Sequence, residues 1–287
     1  MRHPHNRLNH GAALLLCAAG LSVLLDAPRA EAGPWTQDQG RFYLKMDQGF
    51  FVAKSYVDAS GAVIKGTEYL GVTTSLYAEV GVWKGLHLMT YLPYSFARNT
   101  FRDGGRFLNV GGGDANFAVQ YSPPFKMSAK TAVKVDFKVP FYDVAGIRGP
   151  LAAQFPAFGD GQLDVTFWLS AGYALPRIPL YFVAEVGYRH RTEVFVGHGD
   201  ARRFGDGLVW LAQVGYIIRN RVGLGLNFGG LVPFREDAWT KGYISLGTAL
   251  FVRLWRGLSA EARFDPILWA RNSSMGFGFG FGLSYKR

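Results

Sequence analysis

From Arg41 to the end of the chain, apolar and polar side chains alternate with a period of two in segment after segment. Successive side chains of a strand point to opposite faces, so each segment carries one greasy face and one polar face; a helix would scatter the same residues around its circumference. The plainest case is MGFGFGFGLSY, from Met275 to Tyr285. Phe277, Phe279, Phe281, Leu283 and Tyr285 share one face, with four glycines and Ser284 on the other. A strand this apolar would aggregate in water unless that face met lipid or a closed sheet. Val133, Val135, Phe137, Val139 and Phe141 repeat the pattern against Lys134, Asp136 and Lys138.

About twelve such segments follow one another, most of them as long as a transmembrane strand requires. They run Arg41 to Val52, Tyr69 to Val82, Leu86 to Phe96, Asp114 to Tyr121, Thr131 to Phe141, Leu163 to Tyr173, Leu180 to Arg191, Leu208 to Ile218, Val222 to Val232, Gly242 to Leu254, Leu258 to Phe264, and the closing stretch. Gln48 interrupts the greasy row of the first and marks a candidate bulge. Short connections are expected near Trp83 to Gly85, Ser122 to Ser128, Pro176 to Pro179, Arg219 to Arg221 and Arg256 to Gly257. Long ones are expected at Lys54 to Lys65, Arg98 to Gly112, Asp143 to Gly159, Thr192 to Phe204, Arg235 to Lys241 and near Ala270 to Ser274. Short turns alternating with long loops over an even number of strands predict an all-β fold: a single up-and-down antiparallel β-barrel of about twelve strands spanning the outer membrane. Rings at the segment ends, such as Trp35, Trp83, Tyr91, Tyr94, Trp168, Tyr173, Trp210, Tyr216, Trp239, Trp255 and Trp269, suit girdles at the two membrane interfaces.

Residues 1–32 differ in kind. Arg2 and Arg7 precede an apolar run from Gly11 to Leu25, and Ala30-Glu31-Ala32 ends the segment, which is the pattern of a secretory signal peptide. The expected division is therefore a signal peptide over 1–32 and an outer-membrane barrel over 33–287. Cys17, the one cysteine, lies within the leader behind Leu16, so neither a disulfide nor a lipidated cysteine is expected in the exported chain. Beyond the leader no window of about 18 apolar residues provides a transmembrane helix.

Composition sharpens this reading. Charged residues make up 18% of the 287 residues, against about 25% in ordinary soluble domains, while aromatics reach 15% and glycines number 37. The net charge of +10 falls by one, to +9, when the leader's three arginines and two acids are removed. Lys and Arg are spread between apolar segments rather than clustered on one face, so no nucleic-acid partner is expected.

The polar faces converge on one candidate feature. Lys45, Asp47, Glu79, Asp114, Lys134, Asp136, Lys138, Asp164, Glu185, Arg189, Arg191, Arg253, Glu261, Arg263 and Asp265 all fall on the side predicted to look inward, as a pore lining of mixed charge. Twelve strands enclose more than side chains alone fill, which favours a narrow channel over a filled barrel. No catalytic residue, cofactor or metal is expected, and the chain is read as a non-enzyme. The enzymatic alternative is a surface hydrolase acting on lipid or peptide through His198 and Asp200, with Ser273 or Ser274 in a different loop. Gly111-Gly112-Gly113 lacks the helix and lysine of a phosphate loop and reads as a flexible strand entry. Gly223, Gly225, Gly229 and Gly230 read as a lumen-facing row. The loop from Ala145 to Gly159, with Leu151, Phe155, Pro156 and Phe158, either folds inward as a constriction, offers a greasy entrance, or packs on itself. Arg98, Arg102, Arg106, Arg148, Arg202, Arg203, Arg235, Lys241 and Arg271 suit lipopolysaccharide phosphates outside, although the opposite turns are basic too.

Short motifs also carry a family resemblance: Gly33-Pro-Trp-Thr36, Leu76-Tyr-Ala-Glu-Val-Gly81 with Leu92-Pro-Tyr94, Gly112-Gly-Asp114, Lys138-Val-Pro140, Phe158-Gly-Asp-Gly-Gln-Leu-Asp164 and Glu185-Val-Gly-Tyr-Arg-His-Arg191. Together they resemble transporter-like outer-membrane proteins associated with the meta-pathway of phenol degradation. That resemblance implies a barrel passing small hydrophobic or aromatic solutes and brings no catalytic residues. The closing aromatic stretch is similar to the signal read by barrel-assembly machinery, except that Lys286 and Arg287 follow its last ring. The expected function is diffusion of small solutes across the outer membrane, against two alternatives: the hydrolase, and a non-conducting structural or adhesive barrel. The oligomeric state is left open.

Overall fold

The computed structural model describes residues 33–124, 129–142, 154–195, 203–235, 237 and 239–287. Residues 1–32, Arg148, His198, Asp200, Arg202 and most of the loop from Ala145 onward lie outside them. Thirteen strands follow in chain order: β1 Phe42–Val57, β2 Val63–Trp83, β3 Leu86–Phe101, β4 Arg106–Gly112, β5 Asp114–Tyr121, β6 Ala129–Pro140 and β7 Gln162–Ala174. After these come β8 Leu180–Phe195, β9 Gly207–Ile218, β10 Val222–Pro233, β11 Gly242–Trp255, β12 Leu258–Arg271 and β13 Ser273–Lys286. All pairings are antiparallel, and β1 meets both β2 and β13, so the sheet closes on itself. β4 and β5 both pair with β3, one above the other, and make one stave of the wall interrupted at Gly113. The wall therefore has twelve staves, as the alternation predicted.

Closure follows from the solvent. Unpaired backbone groups cannot be hydrated in hydrocarbon, so a membrane-crossing sheet must have no free edge there. The seam pairs Leu44 with Tyr285, Met46 with Leu283 and Phe50 with Phe279 on the outer face, and the last pair stack at 5.0 Å between ring centroids. Outward residues stay exposed without water-seeking groups, as with Met46 at 62%, Leu169 at 62% and Phe281 at 59%. On β2 the outward row from Leu70 to Val82 covers twelve residue steps. At about 3.4 Å per residue and a tilt of about 40° this gives roughly 31 Å, enough for a hydrocarbon core.

Several expected loops are strands. Lys54 to Lys65 belongs mostly to β1 and β2, whose ends are joined by a turn in which Asp58 accepts from the backbone of Ser60 and Ala62 at 2.9 Å. Arg98 to Gly112 is the β3–β4 hairpin. Ala270 to Ser274 is a tight turn at Asn272, and Ser273 and Ser274 pair with Val57 and Tyr56 instead of sitting in a loop. Pattern reading stopped too early because these strands continue past the membrane, where a mixed outer face no longer alternates. Gln48 is not bulged either. It faces outward in unbroken register, accepts from the Thr74 hydroxyl at 2.7 Å and donates to the Thr73 carbonyl at 3.2 Å, and the real irregularity lies at Lys54. Gly230 falls on the outward side of β10, off the inward row.

Phe281→Arg would place a cation on the lipid face near mid-wall. A loss of about 2–4 kcal/mol is expected in reversible urea unfolding from lipid vesicles, scaled by depth in the bilayer.

Candidate lumen site

Alternation turns the other half of each strand inward, and the interior holds a chamber of about 570 Å³. Lys45, Asp47, Glu79, Lys134, Glu185, Arg253, Glu261 and Arg263 border it, and Asp136 borders an adjoining recess. The glycine face of β13 makes this possible. A Cβ at Gly280 would meet the Arg263 guanidinium at 2.9 Å and one at Gly282 would meet Lys45 Cε at 2.9 Å, so the charged chains lie flat over backbone. Arg263 bridges Asp47 at 2.6 Å and Asp265 at 3.0 Å. Lys45 pairs with Glu261, which also accepts from the Tyr43 hydroxyl at 2.9 Å. Across the barrel Lys134 lies 3.7 Å from Glu185 and 4.8 Å from the Trp168 ring centroid.

A second network occupies the half of the interior nearer the long loops. Lys138 bridges Asp164 at 2.9 Å and Asp114 at 3.2 Å, and Asp164 is fully buried. Arg191 holds Asp160 at 3.0 Å, Lys241 holds its other oxygen at 2.9 Å, and Arg189 donates to Thr166 at 3.3 Å. Burial alone would raise the Asp160 carboxyl, yet Lys241 and Arg191 hold it well below the usual carboxylate range. Lys241, expected among the outer cations, thus reaches inward. Its expected role rested on position in a loop, and only the folded chain shows that the loop turns in. Tyr142 donates to Asp114 at 3.0 Å and accepts from Gly161 N at 2.7 Å.

These ion pairs anchor a segment that enters the lumen. Asn99 and Asn109, on the inner faces of β3 and β4, donate to the carbonyls of Gln154 at 2.8 Å and Pro156 at 3.0 Å. Phe155 packs edge-on against Phe107, which meets Phe101 likewise, and Phe158 lies edge-on to Tyr142. Residues 154–159 therefore fold inward and line one mouth with rings.

The opposite mouth carries a feature that the alternation could not reveal. Gly33 to Arg41 precedes β1 and has no strand pattern. Gly33 accepts from Gln120 at 3.0 Å, Pro34 is fully buried, and Trp35 meets Tyr181 edge-on at 6.1 Å. A Cβ at Gly172 would clash with both Trp35 and Pro34, which explains the small residue there. Further along, the Gln37 amide donates to Glu79 at 2.8 Å and its backbone N–H to His87 Nδ1 at 3.4 Å. Gly33 contacts Val183 on β8, six staves from β1, so the segment is a strap across the whole mouth. Eight extended residue steps cover about 26 Å, in keeping with such a crossing. The sequence places Tyr43 and Gln120 on the inward face but gives no face to Tyr77 and His87, which share that parity, and Trp35, Tyr91 and Trp168, expected in the interfacial girdles, turn inward instead.

Comparison with known proteins shows the fold alone. A crystal structure of the COG4313 outer-membrane channel from Pseudomonas putida F1 superposes with a TM-score of 0.67 at 11% identity, covering 90% of this chain and 100% of that one. The NanC porin gives 0.54 at 12% identity, covering 85% and 100%, and the KdgM porin 0.52 at 8%, covering 84% and 98%. No family model and no curated protein matches the sequence. The tie to phenol degradation therefore rests on the short motifs alone.

Lys138→Ala would leave the Asp164 and Asp114 carboxylates without their shared cation. A loss of about 3–5 kcal/mol is expected in urea unfolding, and Lys138→Met with Asp164→Leu and Asp114→Asn should recover most of it, since removing all three charges together leaves none of them orphaned.

Proposed function

We propose that this outer-membrane barrel passes small solutes by diffusion, with the inward charges as its lining and the strap from Gly33 to Asp38 as its main resistance. The observation that carries the reading is the charge-lined chamber of about 570 Å³ enclosed by a closed wall. A chamber of that size matches a small organic molecule rather than a polymer. Its boundary is water-compatible, because opposite charges alternate around it and leave no large field to trap an ion. The rings of Phe101, Phe107, Phe155 and Phe158 at the long-loop mouth favour solutes with an aromatic or apolar part. Solutes with both a ring and a polar group suit the two regions in turn.

The strap also favours a second reading, a barrel that conducts nothing. Planar-bilayer recording separates the two. The full barrel should show small openings, and removal of residues 33–38 should raise conductance several-fold with little ion selectivity. No current from either form would leave the non-conducting reading. Swelling of vesicles in phenol should exceed swelling in a sugar of similar size, and equal rates would remove the aromatic preference.

Asp160→Asn frees Lys241 and one side of Arg191, so larger conductance fluctuations are expected at neutral pH. The depressed carboxyl means the latch is fully present above the ordinary carboxylate range and fails only as pH falls through its own lower value. The unaltered protein should therefore record alike at pH 7 and pH 5.

A further inference from the structure

The rim at the strap end has a composition that the channel reading does not use. Both described chain ends and the turns at Lys84–Gly85, Leu175–Pro179, Arg219–Arg221 and Arg256–Gly257 lie there, which marks it as the periplasmic rim of an outer-membrane barrel. Around it each turn joins an outward ring or aliphatic side chain to an exposed cation: Trp83 with Lys84, Ile178 with Arg177, Ile218 with Arg219, and Trp255 with Arg256. The remaining short turn, between β5 and β6, lies partly outside the described residues. Trp83 is 61% and Trp255 66% exposed, and the Arg256 guanidinium sits 5.0 Å from the Trp255 ring centroid. No carboxylate bridges Lys84, Arg177, Arg219 or Arg256 among the described residues.

Two of these cations occupy backbone positions that disfavour them. Arg219 has φ of 48° and Arg256 of 37°, left-handed values at which glycine or asparagine is the unstrained choice. An arginine there, beside Trp255 in one turn and Ile218 in the other, points to a partner for its charge.

We propose that this rim is a collar that binds the phosphodiester head-groups of anionic phospholipids in the inner leaflet. The rings mark the head-group level, and the cations stand just beyond them, where the phosphates lie. A lipid annulus is favoured over an acidic protein because the pairs are distributed around the circumference and flank lipid-facing side chains, whereas a protein would need one contiguous patch on the end face. Arginine adds bidentate geometry toward a phosphate.

The test is retention of phosphatidylglycerol against phosphatidylcholine of the same chains, read by native mass spectrometry of barrels extracted from mixed vesicles. The variant Lys84→Ser, Arg177→Ser, Arg219→Asn, Arg256→Asn removes the collar while giving the two turns a residue that suits their backbone. Unheated electrophoretic mobility reports its folding, and the pair Lys84→Ser, Arg177→Ser alone serves if the fourfold variant does not fold. The intact barrel should prefer phosphatidylglycerol, and the fourfold variant should lose about tenfold of that preference. Arg98→Ser, Arg102→Ser, Arg106→Ser on the other side should keep it. An unchanged preference in the collar variant, or an equal loss in the outer one, would overturn the proposal. So would loss of binding to soluble polyglutamate with phosphatidylglycerol retention intact, which would make the rim a docking surface for an acidic protein.

Discussion

The hydrogen-bonded seam between the first and last strands is the constraint on which the rest of the structure depends. Hydrocarbon offers no partner for a backbone N–H or C=O, so a sheet in it must pair every group or fail to insert. Once β1 and β13 join, the two faces become two solvents, lipid outside and an aqueous lumen inside. Side-chain parity then has no freedom left, because a one-residue slip would send Lys45 and Asp47 into lipid and Leu44 and Met46 into the lumen. Phe50 stacked on Phe279 and the glycine face of β13 under Lys45 and Arg263 are the two sides of that single register.

The interior is governed by charge neutrality at short range. Lys45 with Glu261 and Arg263 with Asp47 bring opposite charges together over the glycine face of the intervening β13, and Lys138 with Asp164 does so between adjacent strands, so desolvation is offset locally. Charges of both signs therefore face the interior side by side, unlike an interior of one sign. The two ends are closed by different means. A strap held by Gln37, Gln120 and buried Pro34 crosses one mouth, and a ring-bearing segment latched by Asp160 enters the other.

Much of the wall was legible in the sequence because period-two alternation is set by lipid on one side. The twelve staves, the inward parity of Glu79, Lys134 and Glu185, and the short turns near Arg219 and Arg256 could all be read directly. Legibility ended where lipid did. Above the membrane both faces meet water, so the outer ends of β1 to β4 and β12 looked like loops. The strap has no periodicity, and nothing local distinguishes a Pro-Trp segment that crosses a lumen from one that hangs free. Lys241 shows the same limit, since its partner Asp160 lies 81 positions earlier and the pairing depends on how two loops turn. Gln48 failed for another reason: a polar residue facing lipid looks like a register break unless a neighbour such as Thr74 satisfies it.

The most direct measurement is cysteine-by-cysteine labelling along Phe42 to Val52 and Phe277 to Tyr285 in lipid vesicles, using a water-soluble maleimide. The one cysteine of the sequence, Cys17, lies in neither strand and is replaced by serine, so the background is clean. The account predicts that cysteines at 43, 45, 47 and 49 and at 278, 280 and 282 react while those at 44, 46, 50, 277, 279 and 281 do not. Equal labelling of neighbouring positions, or the opposite parity, would contradict it.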